Sequence, residues 1–234
     1  MGLNARTEKP HPMGSRPRRL PPGPWKGLLG HALRLIDEIA KHGDPNPFWT
    51  LGGGTVLMLR YQHRRSKDID IFVPDPQYLG HVSPRLSDVA ESIARDYVEA
   101  AGYVKLIRAE GEIDFVASEN LTSNPFETWT LLRRCVRVET SVEIIAKKLW
   151  HRGDRLTARD LFDLSLVIEH EPEALHAAAR FLVRHRAALL KQVTERATVL
   201  RAQFDAIDVL RYKPGFEAAA ARAASFLGSL PDPP

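Results

Sequence analysis

The chain has 234 residues, of which 44% are hydrophobic and 26% charged, enough for one sizeable core and ordinary for a globular fold. Its net charge of +4 is uneven: residues 1–26 hold six Lys/Arg and one acid, whereas the other 208 hold 27 basic and 28 acidic groups. That excludes a uniformly basic nucleic-acid-binding domain, and no apolar run approaches the roughly 20 residues of a bilayer span. No apolar segment of a secretory signal follows the basic N-terminus, and a single cysteine, Cys135, excludes an internal disulfide; both fit a reducing cytoplasm. Cys135 sits in LLRRCVRVE, which predicts a buried thiol entering a strand.

Residues 1–26, rich in Pro, Gly and Arg, read as a disordered basic leader, with an electrostatic arm for nucleic acid as the alternative. From about Lys26 to His42, Leu28, Leu29, Ala32, Leu35, Ile36 and Ile39 recur at helical spacing. A GDPNP run stops that helix, and Phe48–Leu51 forms a short apolar approach to Gly52-Gly53-Gly54. Thr55–Tyr61 reads as a helix and Lys67–Val73 as a strand ended by Pro74. A proline-rich loop and an amphipathic helix over 85–101 follow, then a hairpin of Tyr103–Arg108 and Glu112–Ala117. Residues 118–134 read as loop and Val136–Glu139 as a strand. The rest is helical, at about 141–151, 158–169, 171–185, 186–208 and 215–227. The expected class is α/β (α+β): a small mixed-sheet domain over 27–140, then a helical lobe over 141–234.

The chemistry concentrates in Leu51–Val73, LGGGTVLMLRYQHRRSKDIDIFV. Alternation along a strand puts Asp68 and Asp70 on one face. Adjacent carboxylates repel unless a cation neutralises them, and Mg²⁺ (or Mn²⁺) does so while keeping positions for water and phosphate. Asp114, in the second hairpin strand, is the candidate third carboxylate, activating an attacking hydroxyl or holding a second metal; a solvated edge-strand acid is its plain alternative. Gly53 and Gly54 would offer backbone N–H groups at a helix N-terminus, where the dipole and unpaired donors favour phosphate, and the Thr55 hydroxyl could add a donor. Arg60, Arg64, Arg65 and Lys67 form a basic run beside this stretch, either a solvated face or a grip on nucleotide or RNA phosphates. His63 and His151 have no partner at zinc-ligand spacing. Trp129 and Trp150 are expected in the core rather than stacked on a base.

This stretch resembles the Gly-Gly/Ser, spacer, Asp-x-Asp signature of the nucleotidyltransferase fold shared with DNA polymerase beta. The form GGT-x-L…HR-x-S-x-D-x-D is similar to the AbiEii/AbiGii toxin family, the toxin halves of abortive-infection, type IV toxin–antitoxin loci. EIIAKKLWHRGDRLTARDLFDL resembles that family's second block, a Lys-Leu on one helix and R-D-x-x-D on the next. The likeness covers about residues 48–168. In the second block Lys147, four residues after Glu143, reads as solvated, and Lys148 as the lysine that reaches a cleft. Thr157 and Asp160 form a capping-box-like pair, which gives Asp160 a structural role; Asp163 has none and is the functional choice, although the two acids are not separated by sequence alone. Arg159 could pair with either.

The resemblance places the second-block lysine and aspartate, here Lys148 and Asp163, at the active site, and Ser66 at a hydroxyl position beside the metal. It implies an NTP-dependent nucleotidyltransferase that acts as a growth-inhibiting or phage-blocking toxin. Its leading acceptor would be a tRNA 3′ end, and its antitoxin a transcriptional repressor that need not bind it. The alternatives are a nucleotidyltransferase that modifies a protein or small molecule, or an inactive binding module of the same fold.

Overall fold

The computed structural model describes residues 20–232. The leader expected over residues 1–26 falls largely outside that range. Its last two residues begin a helix, α1 (Trp25–His42), and the Trp25 side chain is buried. Seven strands follow: β1 (Thr50–Gly52), β2 (Ile69–Val73), β3 (Asp96–Ala100), β4 (Tyr103–Arg108), β5 (Gly111–Ala117), β6 (Phe126–Leu131) and β7 (Arg134–Glu139). They form one mixed sheet in the order β3-β4-β5-β2-β1-β7-β6. The β2–β5 and β1–β7 pairs are parallel and the others antiparallel.

Alternation gives the sheet two chemically different faces. Ile69, Ile71, Val73, Ile113 and Phe115 are fully buried and join the core that includes α1, which lies against β2 and β5. Asp70, Phe72, Asp114 and Val116 project from the other face into a cleft. Helix α2 (Gly53–Tyr61) begins directly where β1 ends. Asp68 stands just ahead of β2 rather than within it.

Two short helices, α3 (Tyr78–Val82) and α4 (Asp88–Ile93), lie before β3. The single helix expected over 85–101 is therefore corrected. Ser87 caps α4, accepting from the Ala90 N–H at 3.3 Å, the chain leaves helix at Ala94, and Asp96–Ala100 pairs with β4 as an edge strand. Residues 126–131, expected as loop, form β6 against β7. Cys135 lies on that hairpin and is exposed, not buried.

The C-terminal half comprises α5 (Ser141–Arg152), α6 (Ala158–His170), α7 (Pro172–Ala177), α8 (Ala179–Leu182), α9 (Arg186–Glu195), α10 (Ala197–Asp205) and α11 (Phe216–Ser229), with a short 3₁₀ turn at Gly153–Arg155. The segments expected as continuous helices over 171–185 and 186–208 are each broken. The Thr140 hydroxyl caps α5, and Thr157 and Asp160 form a full capping box on α6. α6 lies against α5, α10 and α11, and one continuous core runs from the sheet into these helices. Residues 208–211 return to the sheet side: the Leu210 and Arg211 N–H groups donate to the His63 and Gln62 carbonyls at 2.9 Å.

Candidate active site

The glycine turn and the acidic strand meet by register. Gly52 pairs with Asp70 across β1–β2, and Asp70 pairs with Asp114 across β2–β5. Gly53 has φ of +74°, a left-handed conformation that disfavours side chains, and an added Cβ would overlap the Asp70 carboxylate. The first turn of α2 thus lies directly against the acid, which the spacing alone does not reveal. Gly53→Ala is expected to cost about 1–2 kcal/mol from the backbone conformation alone, and more from the overlap with Asp70. Urea unfolding of the variant checks this.

Gly53, Gly54, Ser66, Asp68, Asp70 and Asp114 all line one cleft of about 1210 Å³ between the sheet face and the helical half. That volume exceeds the roughly 1,000 Å³ at the upper end of small-ligand sites, so it can take a nucleotide with part of a second substrate. Arg65, Lys67, Lys148, Arg152 and Arg159 line it as well.

Thr55 differs from expectation. Its side chain is fully buried, and its hydroxyl donates to the Asp68 carbonyl at 2.6 Å and lies 3.1 Å from the Ser66 Oγ. It fixes the approach to β2 and does not reach phosphate, because its one O–H is committed within the protein. Ser66 remains at the cleft.

The carboxylates are crowded. Burial, with Asp114 next and Asp68 adding to it, pushes the Asp70 carboxyl up to about 7 although Lys148 and Arg152 oppose the shift. Burial, with smaller contributions from Glu112 and Asp68, also raises Asp114 despite the nearby Lys105. The Asp114 Oδ1 is buried without a hydrogen-bond partner among the described residues, and Glu112 N–H donates to the Asp68 Oδ1 at 3.0 Å. Two crowded carboxylates, Asp68 and Asp70, neither in an ion pair among the described residues, suit a hard divalent cation bound between them. No three His, Cys, Asp or Glu side chains are already gathered as a ligand set among the described residues. Mg²⁺ does not require one, since it binds through one or two carboxylates with water and substrate phosphates.

The helical half contributes a buried ion network. Lys148 Nζ lies 2.8 Å from the Asp160 Oδ1 and 2.6 Å from the Asp163 Oδ2. Arg152 also reaches the Asp160 Oδ1, at 2.6 Å. Asp163 is fully buried and accepts from Arg64 twice, through Nε at 2.7 Å and Nη2 at 2.8 Å, and stands 2.8 Å from the His63 Nε2. Burial alone would raise both acids, but Arg64 and Lys148 hold Asp163 well below the usual carboxylate range, and Lys148 and Arg152 hold Asp160 down to about 2. Both second-block acids therefore hold Lys148. Asp163 does not line the cleft, and it reaches the site through Lys148 and through Arg64, whose guanidinium packs under Gly54.

Three further expectations are corrected. Lys147 is buried, with Nζ 2.6 Å from Glu139 and 4.1 Å from the centre of the Phe72 ring. The expected pair with Glu143 forms, at 3.6 Å, but on a buried side, where Glu143 also accepts from the Leu121 and Thr122 N–H groups. The basic run is not one surface: Arg64 is buried, Arg60 bonds Glu127 and the Glu139 carbonyl, Arg65 pairs with Asp208 at 3.0 Å, and Lys67 is exposed. Arg159 makes no ion pair among the described residues; it lines the cleft instead. Trp129 is buried, with Arg60 over its ring.

A glycine turn held against the Asp70 strand, a third acid at the same register and a lysine from the helical half define the class of protein: a nucleotidyltransferase. The family model described as "Nucleotidyl transferase AbiEii toxin, Type IV TA system" matches residues 34–233, and the chain belongs to that family. Among solved structures, a protein of H. pylori described as a candidate nucleotidyltransferase aligns at 18% identity and TM-score 0.45, over 87% of this chain and 94% of its own. JHP933 from Helicobacter pylori aligns at 19% identity and TM-score 0.46, over 87% and 91% of the two chains. A search of curated proteins returned no match. No described helix is long and apolar enough to cross a membrane.

Proposed function

We propose that this nucleotidyltransferase toxin transfers NMP from an NTP to a hydroxyl of RNA, with the tRNA 3′ end as the leading acceptor, and that it requires Mg²⁺ or Mn²⁺. The observation that carries this reading is the register Gly52–Asp70–Asp114 with Lys148 on the same cleft. Asp68 and Asp70 are the metal ligands. Bound there, the metal would supply charge neutralisation for the phosphates and for the leaving pyrophosphate. Gly53 and Gly54 offer N–H donors, with Ser66, Arg65 and Lys148 as further phosphate partners. Asp114 accepts the proton of the attacking hydroxyl. Asp163 and Asp160 position Lys148.

In this reading a sheet domain over 27–140 supplies the acids and a helical lobe over 141–234 supplies the lysine. The exposed cations Arg65, Lys67, Arg152 and Arg159 at the cleft suit a polyanionic acceptor. The chain acts in the cytoplasm to arrest growth or block phage, opposed by an antitoxin that represses transcription without an obligatory complex.

The test is incubation with each α-labelled NTP, Mg²⁺ and total cellular RNA. Label in a tRNA-sized band supports RNA as the acceptor. Label on protein or on a small molecule replaces RNA with that acceptor. No transfer with any NTP overturns the reading in favour of an inactive module.

A further inference from the structure

We infer that Lys105 is a positioning residue for the acceptor side of the site: it holds Asp114 by one carboxylate oxygen and leaves the other for the incoming hydroxyl. This inference rests on the nucleotidyl transfer proposed above. Across the β4–β5 hairpin Lys105 is the register partner of Asp114. Its Nζ lies 3.2 Å from the Asp114 Oδ2 and also bonds Glu112, two residues before Asp114 on the same face. Lys105 is half-buried and lines the cleft.

The two oxygens of Asp114 are therefore unlike. Oδ2 faces an ammonium, whereas Oδ1 is buried with no partner among the described residues. A buried acceptor without a donor is costly and is retained where a ligand supplies the donor. A carboxylate free at both oxygens could turn toward a cation held by Asp68 and Asp70 and become a third ligand. Pinned at Oδ2 and partly neutralised by Lys105, it keeps Oδ1 for the acceptor. In the transfer, the acceptor O–H bond breaks and its proton passes to the Asp114 Oδ1. The acceptor oxygen bonds to the α-phosphorus, and the bond from that phosphorus to the pyrophosphate oxygen breaks with its electron pair.

A partly exposed ion pair adds little to folding, so loss of Lys105 should leave the fold intact. The experiment compares wild type, Lys105→Met and Lys105→Arg in transfer of α-labelled NTP to total cellular RNA, with thermal unfolding in parallel. Lys105→Met is expected to lose about 30-fold or more in kcat, within the range that general-base catalysis contributes. Its KM for NTP should stay within about twofold and its unfolding midpoint near that of the wild type, because the nucleotide side is untouched. Lys105→Arg should recover most of the rate, because a guanidinium can hold the same oxygen. A wild-type rate in Lys105→Met, a loss confined to the KM for NTP, or no recovery in Lys105→Arg overturns the assignment while nucleotidyl transfer stands. A wild-type chain that transfers no label overturns both.

Discussion

Replacing Asp163 by Ala is expected to destabilise the fold by about 3–5 kcal/mol, the usual cost of removing one partner from a buried ion pair. The carboxylate is fully buried and touches His63, Arg64 and Lys148. Without it, Arg64 is left in a buried position without its counter-charge, and burial penalises an uncompensated cation strongly. That cost is a large share of the roughly 5–15 kcal/mol that a domain has in hand. Asp163→Asn keeps an acceptor and the volume, so it should be milder in stability while weakening the hold on Lys148 to the contact with Asp160. Urea unfolding with the slope monitored measures both variants. A midpoint unchanged in Asp163→Ala would show that the network contributes nothing to folding.

Asp70→Asn is expected to have the opposite stability effect and the largest activity effect. Burial, with the Asp114 charge next, pushes the Asp70 carboxyl up to about 7, well above the usual carboxylate range of about 4. The folded state therefore binds its proton more tightly than the unfolded chain does. Stability from this group is fully present below about pH 4, falls as pH rises between the two values, and is flat above the upper one. An Asn at that position does not titrate. In metal-free buffer the variant should therefore be more stable than wild type at pH 8. The advantage should be about 1–4 kcal/mol, the lower part of the range allowing for the opening of Asp70 to the cleft. The gap should shrink toward pH 4, and added Mg²⁺ should stabilise only the wild type. At the same time the variant should lose about 10³-fold or more in nucleotidyl transfer, the scale of removing a principal electrostatic group. A protein that is sturdier and inactive is the signature of an acid kept for chemistry rather than for folding.

The sequence made the acidic strand, the hairpin and the second-block lysine legible because each rests on local pattern. Asp68 precedes, and Asp70 lies within, the alternating Ile-Asp-Ile-Phe-Val, and the β4–β5 hairpin follows from two alternating runs around a short turn. Lys105 was within reach of the same reasoning, since that hairpin's register puts it opposite Asp114. The β6–β7 hairpin was hidden by its turn. Leu132 and Arg133 carry φ of 48° and 64°, yet hold none of the Asn or Gly that such a turn favours. β3 was hidden by chance periodicity: Leu86, Val89, Ala90, Ile93 and Val98 fit a helix, but Leu86 and Val98 are exposed and only Ala90 and Ile93 are buried. Nor could adjacent lysines or arginines be sorted into buried and exposed. Lys147 and Arg64 go inward because Glu139, on the preceding strand, and Asp163, distant in sequence, are there to receive them.

The most direct test of the central claim pairs two labels. The wild-type chain is incubated with Mg²⁺, total cellular RNA and NTP labelled either at the α- or the γ-phosphorus. Transfer of NMP predicts that the α-label enters the acceptor and the γ-label leaves as pyrophosphate, and that Asp70→Asn abolishes both signals. A γ-label retained on the acceptor, or an α-label transferred equally well by Asp70→Asn, would contradict it.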